Sequence, residues 1–245
     1  MYQLLTSNDR ALHGDAFRFE RKFIVSDRSR HAIEGLIRLH PAHFRAIYSL
    51  RYVNNIYFDT QGFRNYFDNL QGVANRMKVR MRWYGQLFGL VSQPVLELKT
   101  KLGFLGYKRR FELTGFEFVK GMLADDMLDC LKRSELPLDV MNSVSAMQPV
   151  LFNRYSRSYR LSADNRFRMT VDSEMICKRI ERSANLFLGG LADRVNSILE
   201  LKYAEEDDKE ASRISEHFPF RPDKSSKYIS GLEKTHTDII RISTV

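Results

Sequence analysis

Apolar and polar residues alternate through Phe17-Arg18-Phe19-Glu20-Arg21-Lys22-Phe23. In an extended chain this puts Arg18, Glu20 and Lys22 on one side and three phenylalanines on the other. The same period of two, or a β-branched and aromatic run, recurs over 50–59, 76–84, 94–101, 107–113, 154–162, 166–172 and 196–203, so with 17–25 eight strands are predicted. Helical spacing is found at 27–39 after Ser26, at 61–70 between Thr60 and Gly72, and at 116–132, 208–217 and 226–235. The pattern predicts an α+β fold with a mostly antiparallel sheet.

The polar faces of the strands are unusual in their charge. In 76–83, Arg76, Lys78, Arg80 and Arg82 share one face and Met77, Val79, Met81 and Trp83 the other. Glu97, Lys99 and Lys101 repeat the design, as do Lys108, Arg110 and Glu112, then Arg166, Arg168, Thr170 and Asp172, then Glu200 and Lys202. A solvated sheet face mixes neutral polar groups with charges of both signs; cations at every second residue repel one another and call for a polyanion. Amphipathic helices can cover the apolar face. The expected architecture is therefore an eight-stranded closed barrel with a charged interior and helices packed outside. Carboxylates among the cations, Glu20, Glu97, Glu112, Asp172 and Glu200, are hard oxygen ligands of the kind that Mg²⁺ or Mn²⁺ takes in phosphoryl transfer. Glu200, flanked by Leu199 and Leu201, is the best metal candidate; an ion-pair role for each carboxylate is the alternative. Lys224 and Lys227 open the last helical pattern, where a helix N-terminus favours anions.

Composition narrows the class. The 245 residues carry 39 Lys and Arg against 30 Asp and Glu, a net charge of +9, and are 43% hydrophobic, enough for a sizeable core. No apolar run approaches the roughly 18 residues of a membrane span, and no secretory signal is read at the start. Two cysteines, Cys130 and Cys177, make no disulfide framework or metal spacing, which suits a cytoplasmic location. Residues 1–15 read as a loose lead-in and 16–245 as one domain, with 136–149 the only candidate seam.

The pieces Phe19-Glu20-Arg21-Lys22, Asn55 through Asp59, Arg80-Met81-Arg82-Trp83-Tyr84-Gly85, Leu96 through Thr100, Pro149 through Arg157, Arg168 through Asp172, Ile198 through Tyr203 and Lys224-Ser225-Ser226-Lys227-Tyr228 occur in order. Together they resemble the VTC domain, the polyphosphate polymerase domain of the vacuolar transporter chaperone complex and a branch of the CYTH-like triphosphate tunnel metalloenzymes. The resemblance implies a tunnel in which ATP and inorganic polyphosphate are gripped by Lys22, Arg80, Arg82, Lys99, Arg157, Arg168, Lys224 and Lys227, while Glu200 holds Mn²⁺ or Mg²⁺. Arg157 is singled out by the resemblance alone. Arg18, Glu20, Lys78, Glu97 and Lys202 are expected to help bind the substrate. The implied activity is transfer of ATP's terminal phosphoryl group to growing polyphosphate. Any coupling to export would need a separate membrane partner at the cytoplasmic face, because the regulatory SPX domain and membrane helices of the eukaryotic polymerase are not read in this chain.

The related hydrolases begin Glu-x-Glu-x-Lys, whereas Arg18 stands in the first of these positions here, which disfavours the alternative of a tripolyphosphate or nucleoside triphosphate hydrolase. A non-catalytic polyphosphate- or RNA-binding module is a third reading. Tyr48, Tyr52, Tyr84 and Tyr107 interleave with cations, but strand aromatics mostly alternate onto the face opposite the charges, which serves base stacking poorly. No specific nucleic-acid partner is therefore expected, and without zinc spacing, a P-loop or a nucleophile elbow neither those sites nor a covalent nucleophile is expected.

Overall fold

The computed structural model describes residues 18–102, 105–183, 185–187 and 189–238. The lead-in expected over 1–15 lies outside the described residues. The strands are β1 (Arg18–Val25), β2 (Arg45–Thr60), β3 (Asn75–Tyr84), β4 (Gly89–Val91), β5 (Val95–Leu102), β6 (Leu105–Glu112), β7 (Phe116–Phe118), β8 (Met147–Leu161), β9 (Arg168–Arg179), β10 (Leu191–Asp193) and β11 (Ser197–Ala204). The helices are α1 (Arg30–Arg38), α2 (Arg64–Leu70), α3 (Ala124–Lys132), α4 (Leu138–Val144), α5 (Asp208–Glu216) and α6 (Lys227–Thr235).

Eight strands form one antiparallel sheet in the order β1-β11-β9-β8-β2-β3-β5-β6, with β10 added beside β9; β4 and β7 pair separately. Among the described residues β1 and β6 share no backbone pairing, so the expected closed barrel is corrected to a strongly curled sheet with an open seam. Side chains reach across the curl, as Lys99 on β5 does to Glu20 on β1 at 3.6 Å. Both seam strands carry dense charge, Glu20, Arg21 and Lys22 on one and Lys108, Arg109 and Arg110 on the other, a feature that keeps edge strands from pairing.

Where alternation is clean the strands fall within a few residues of expectation. β8 begins earlier than the alternation at 154–162 because Val150, Leu151 and Phe152 are all buried, Leu151 against the inside of the curl and Phe152 against the outside, so the period is lost. The helical spacing read over 116–132 splits. Phe116 and Phe118 point the same way from β7, and the helix starts only at Ala124, where the Asp126 carboxylate accepts from the Leu123 N–H at 2.8 Å. α4 follows Pro137, whose fixed φ suits a helix start.

Three cores result. The outer face of β2, β3, β5 and β8 packs Ile56, Val79, Met81, Trp83, Leu96 and Phe152 against α3 and α4. The outer face of β1, β9 and β11 packs Phe23, Met169, Val171, Leu199 and Leu201 against α1 and α5. The third core corrects the expectation that all helices lie outside. Tyr228 and Leu232 of α6 pack onto the inner face against Tyr57, Leu151, Tyr155 and Ile198, with Tyr66 of α2 beside them. Gly231 makes this close approach possible, since a Cβ there would stand 2.6 Å from Leu151 Cδ2 and 3.3 Å from Cys177 Sγ. α6 thereby fills one end of the curl and leaves a polar lumen beyond its N-terminus.

Candidate functional site

Strand register carries the site. Glu97 on β5 lies opposite Arg80 on β3 and Arg110 on β6, all on the inner face. Its buried carboxylate accepts from Arg80 Nε at 2.7 Å and stands 2.6 Å from Lys108 Nζ, 3.5 Å from Arg82 and 3.6 Å from Arg110. Burial alone would raise its pKa, but Arg80, Arg82 and Lys108 outweigh that and hold it well below the usual carboxylate range. Arg82 is itself buried, donating to Asn55 Oδ1 at 2.8 Å and to the Tyr155 hydroxyl at 3.2 Å. Asn55 in turn donates to Asn153 at 2.7 Å. Neutral inner-face side chains thus fix a guanidinium whose charge is only partly matched.

A second node joins β8, β9, β11 and the start of α6. Arg157 donates to both oxygens of the fully buried Asp172, at 2.5 and 2.6 Å, and Lys227 Nζ lies 2.6 Å from Asp172 and 3.4 Å from Glu200. Glu200 is also 3.4 Å from Lys202 and 3.9 Å from both Lys22 and Arg157. Burial works to raise the Glu200 carboxyl, yet Lys227, Lys202, Arg157 and Lys22 take it well below its ordinary value. Glu20 completes the ring, with Lys22 at 3.0 Å, Lys99 at 3.6 Å and Lys202 at 4.0 Å.

Lys78 differs from every cation above. It stands in a cross-strand row with Lys99 and Lys108, and its only polar contact among the described residues is donation to Ser226 Oγ at 3.0 Å. Burial first, then Lys99, Lys22, Arg76 and Arg80, push its pKa down to about 7. Lys22 similarly reaches the Ser225 carbonyl at 3.2 Å, so the segment entering α6 is held by two lumen lysines.

Of the residues singled out in the sequence, Glu20, Lys22, Lys78, Arg80, Arg82, Glu97, Lys99, Arg157, Glu200, Lys202 and Lys227 are brought together. Arg168 lies across from Lys202 at the mouth of the lumen, exposed and unpaired among the described residues. Lys224 is exposed on the segment before α6 and, among the described residues, engages only through its backbone N–H. Arg18 pairs along the backbone with Ala204 and is placed no further. Arg166 leaves the predicted face: it precedes β9 and binds Asp207 at the start of α5. Sequence reasoning missed Tyr57, Asn55, Tyr155 and Tyr159 as inner-face residues. Tyr155 and Tyr159 share parity with Arg157, which is the signal that would have found them.

The sequence model of one family, the VTC domain, matches residues 17–236. The chain belongs to the VTC domain family. No curated protein matches it. Among solved structures, this VTC domain is similar to a putative adenylate cyclase from Vibrio parahaemolyticus, with 11% identity over 92% of this chain and 98% of that one and a TM-score of 0.47. It is also similar to the PH1819 protein from Pyrococcus horikoshii OT3, with 12% identity over 90% and 99% of the two chains and a TM-score of 0.46. No helix among the described residues is long and apolar enough to cross a membrane.

The donor set is compatible with a divalent ion in a particular way. No group of three or more His, Cys, Asp or Glu side chains comes together among the described residues. Glu20 and Glu200 nevertheless share two ammonium groups, Lys22 and Lys202, which a divalent ion would have to displace from the carboxylates. Opposite Glu200 in the register, Thr170 Oγ1 is buried without a hydrogen-bond partner among the described residues, a spare oxygen on the same face. An ion bound by one or two carboxylates needs phosphate oxygens and water to complete its shell, the usual arrangement for Mg²⁺.

Proposed function

We propose that this VTC domain is a metal-dependent polyphosphate polymerase that moves the terminal phosphoryl group of ATP onto inorganic polyphosphate. The row Lys78, Lys99 and Lys108 carries this reading. Like charges directly opposite one another on a sheet are destabilising, and a polyanion in the lumen relieves the repulsion. In the proposed reaction the bond between the γ-phosphorus and its bridging oxygen breaks as a bond forms to a terminal oxygen of the acceptor. ADP leaves, the polymer gains one phosphate and no water is consumed. Arg80 and Arg157, each held by a carboxylate, and Arg82, held by Asn55 and the Tyr155 hydroxyl, present guanidinium N–H groups to the transferring phosphoryl oxygens, so the site needs little reorganisation. Lys22, Lys99, Lys202 and Lys227 supply point charges along the phosphate chain. Glu200, with Glu20 and Thr170 beside it, would hold Mn²⁺ or Mg²⁺, which neutralises charge on the bridging and terminal phosphate oxygens.

The test is incubation of the chain with ATP and Mn²⁺ or Mg²⁺, following ADP, orthophosphate and long-chain polyphosphate together. Polymer matched by ADP is expected, and Glu200→Gln should abolish it. Orthophosphate without polymer would replace this reading with a hydrolase, and polyphosphate binding without turnover would make the domain a receptor.

A further inference from the structure

At the end of the lumen away from α6, the inner face turns aromatic. Tyr48 on β2 pairs with Tyr159 on β8, and their rings meet edge to face at 5.4 Å. Beside them Arg51 pairs in register with Arg157, so two guanidinium groups stand on neighbouring strands. Asp172 takes Arg157, whereas Arg51 has no carboxylate partner and no hydrogen bond among the described residues. Its guanidinium carbon lies 4.3 Å from the Tyr48 ring centre and 5.6 Å from that of Tyr159. Tyr84, at the end of β3, shares this face because it pairs with Val53, which pairs with Tyr155. Tyr48 and Tyr84 are 50% and 43% exposed, so each offers ring surface that no described residue covers.

Aromatic rings next to an uncompensated arginine form a stacking surface for nucleobases, because every base has a π-face and the guanidinium stacks as well. The position matters as much as the chemistry. Tyr159 is two residues from Arg157, about 7 Å along the strand, so a molecule whose phosphates lie on Arg157 would set the rest of itself against these rings. Burial, with the Tyr84 and Tyr155 hydroxyls and against the pull of Arg157, pushes the Tyr159 phenol up to about 12, leaving that ring neutral at physiological pH.

We propose that Tyr48, Arg51, Tyr84 and Tyr159 form a base-stacking shelf at the lumen mouth, which receives the base of a nucleoside triphosphate donor while its phosphates run inward past Arg157. The proposal rests on the reading above that the donor is a nucleoside triphosphate. Stacking has no donor and acceptor code, so the shelf favours a purine base over no base without distinguishing adenine from guanine. Base contacts are the same before and after phosphoryl transfer, so the shelf lowers KM and leaves kcat alone.

The test compares equilibrium binding of ATP, GTP, inorganic tripolyphosphate and an oligoadenylate to the full chain and to Tyr48→Ala/Tyr84→Ala, two exposed positions whose loss spares the core. ATP and GTP should bind the wild type more tightly than tripolyphosphate does. In the variant their affinity should fall about five- to 150-fold, the range for one lost stack, with tripolyphosphate unchanged. The proposal is overturned if ATP and tripolyphosphate weaken equally or not at all, or if wild type prefers neither. Oligoadenylate binding that exceeds ATP binding and is lost in the variant would overturn it in favour of RNA. Polymer formation is measured separately: a wild type that makes no polyphosphate refutes the polymerase reading, while the binding comparison still decides the shelf.

Discussion

The Tyr228 hydroxyl donates to Asp59 inside the third core, and this contact locks α6 to the end of β2. Asp59 accepts at the same time from the backbone N–H groups of Thr60, Asn65 and Tyr66 at 2.7–2.9 Å, so one buried carboxylate ties α6 to the first turn of α2. Tyr57 stacks on Tyr228 at 5.1 Å and receives a hydrogen bond from Arg80 at 3.3 Å, which links this lock to the Glu97 node. Lys227, adjacent in sequence, inherits its position between Asp172 and Glu200.

Tyr228→Phe removes the donor and leaves a buried acceptor underused. Unfolding stability should drop by about 1–3 kcal/mol in a denaturant titration. Affinity for tripolyphosphate should fall with it, because Lys227 loses its anchor. Unchanged affinity at reduced stability would separate the lock from the lumen.

Lys78 predicts how binding depends on pH. Its pKa of about 7 lies below the ordinary 10.5, and a bound anion favours the ammonium form. Affinity for tripolyphosphate should therefore decline as pH rises through about 7, in titration calorimetry, and Lys78→Met should flatten that decline. Ionisation of the terminal phosphates acts in the opposite sense in wild type and variant alike, so the difference between the two isolates the lysine. For the ligand-free fold the sign reverses. Between about 7 and 10.5 the folded group binds fewer protons than an unfolded lysine, so its contribution to stability rises with pH.

Glu97→Gln keeps the shape and deletes the charge shared by Arg80, Arg82, Lys108 and Arg110. Breaking a buried pair from one side costs about 3–5 kcal/mol, so the variant should melt earlier. Added tripolyphosphate should raise its melting temperature by more than it raises that of wild type, since the stranded cations gain most from an anion. An equal rise in both would contradict the charge argument.

Much of this arrangement was legible in the alternation of single strands. Arg80, Arg82 and Glu97 could be assigned to one face because Met81, Trp83, Leu96 and Leu98 mark the other without exception. Closure was not legible. Charges on β1 and β6 show that these faces are polar, but pairing depends on register between strands at opposite ends of the sheet. The place of α6 was hidden for a related reason: Tyr228 and Leu232 declare an apolar stripe without saying which surface of the curl it meets. The inner tyrosines escape notice because strand aromatics mostly alternate onto the face opposite the charges, as on β3, whereas the inner face of β8 carries Tyr155 and Tyr159 around Arg157.

The fit of α6 can be probed at its tightest point. Gly231→Ala places a methyl group 2.6 Å from Leu151 Cδ2, an overpacking that costs about 1–3 kcal/mol against roughly 1 gained in helix propensity. A net loss of stability is expected. Combined with Leu151→Ala, it should be less destabilising than the two single losses added, and strict additivity in a double-mutant cycle would show that the contact is absent.

β8 runs from a sealed region into an open one. Leu151 packs beneath α6, and Arg157, six residues on and facing the same way, meets Asp172 beside the lumen. One strand thus serves as masonry at one end and as a tool at the other. Natural variation along it need not be uniform: changes near Leu151 are judged by whether the protein exists at all, and changes near Arg157 by what the finished protein can hold.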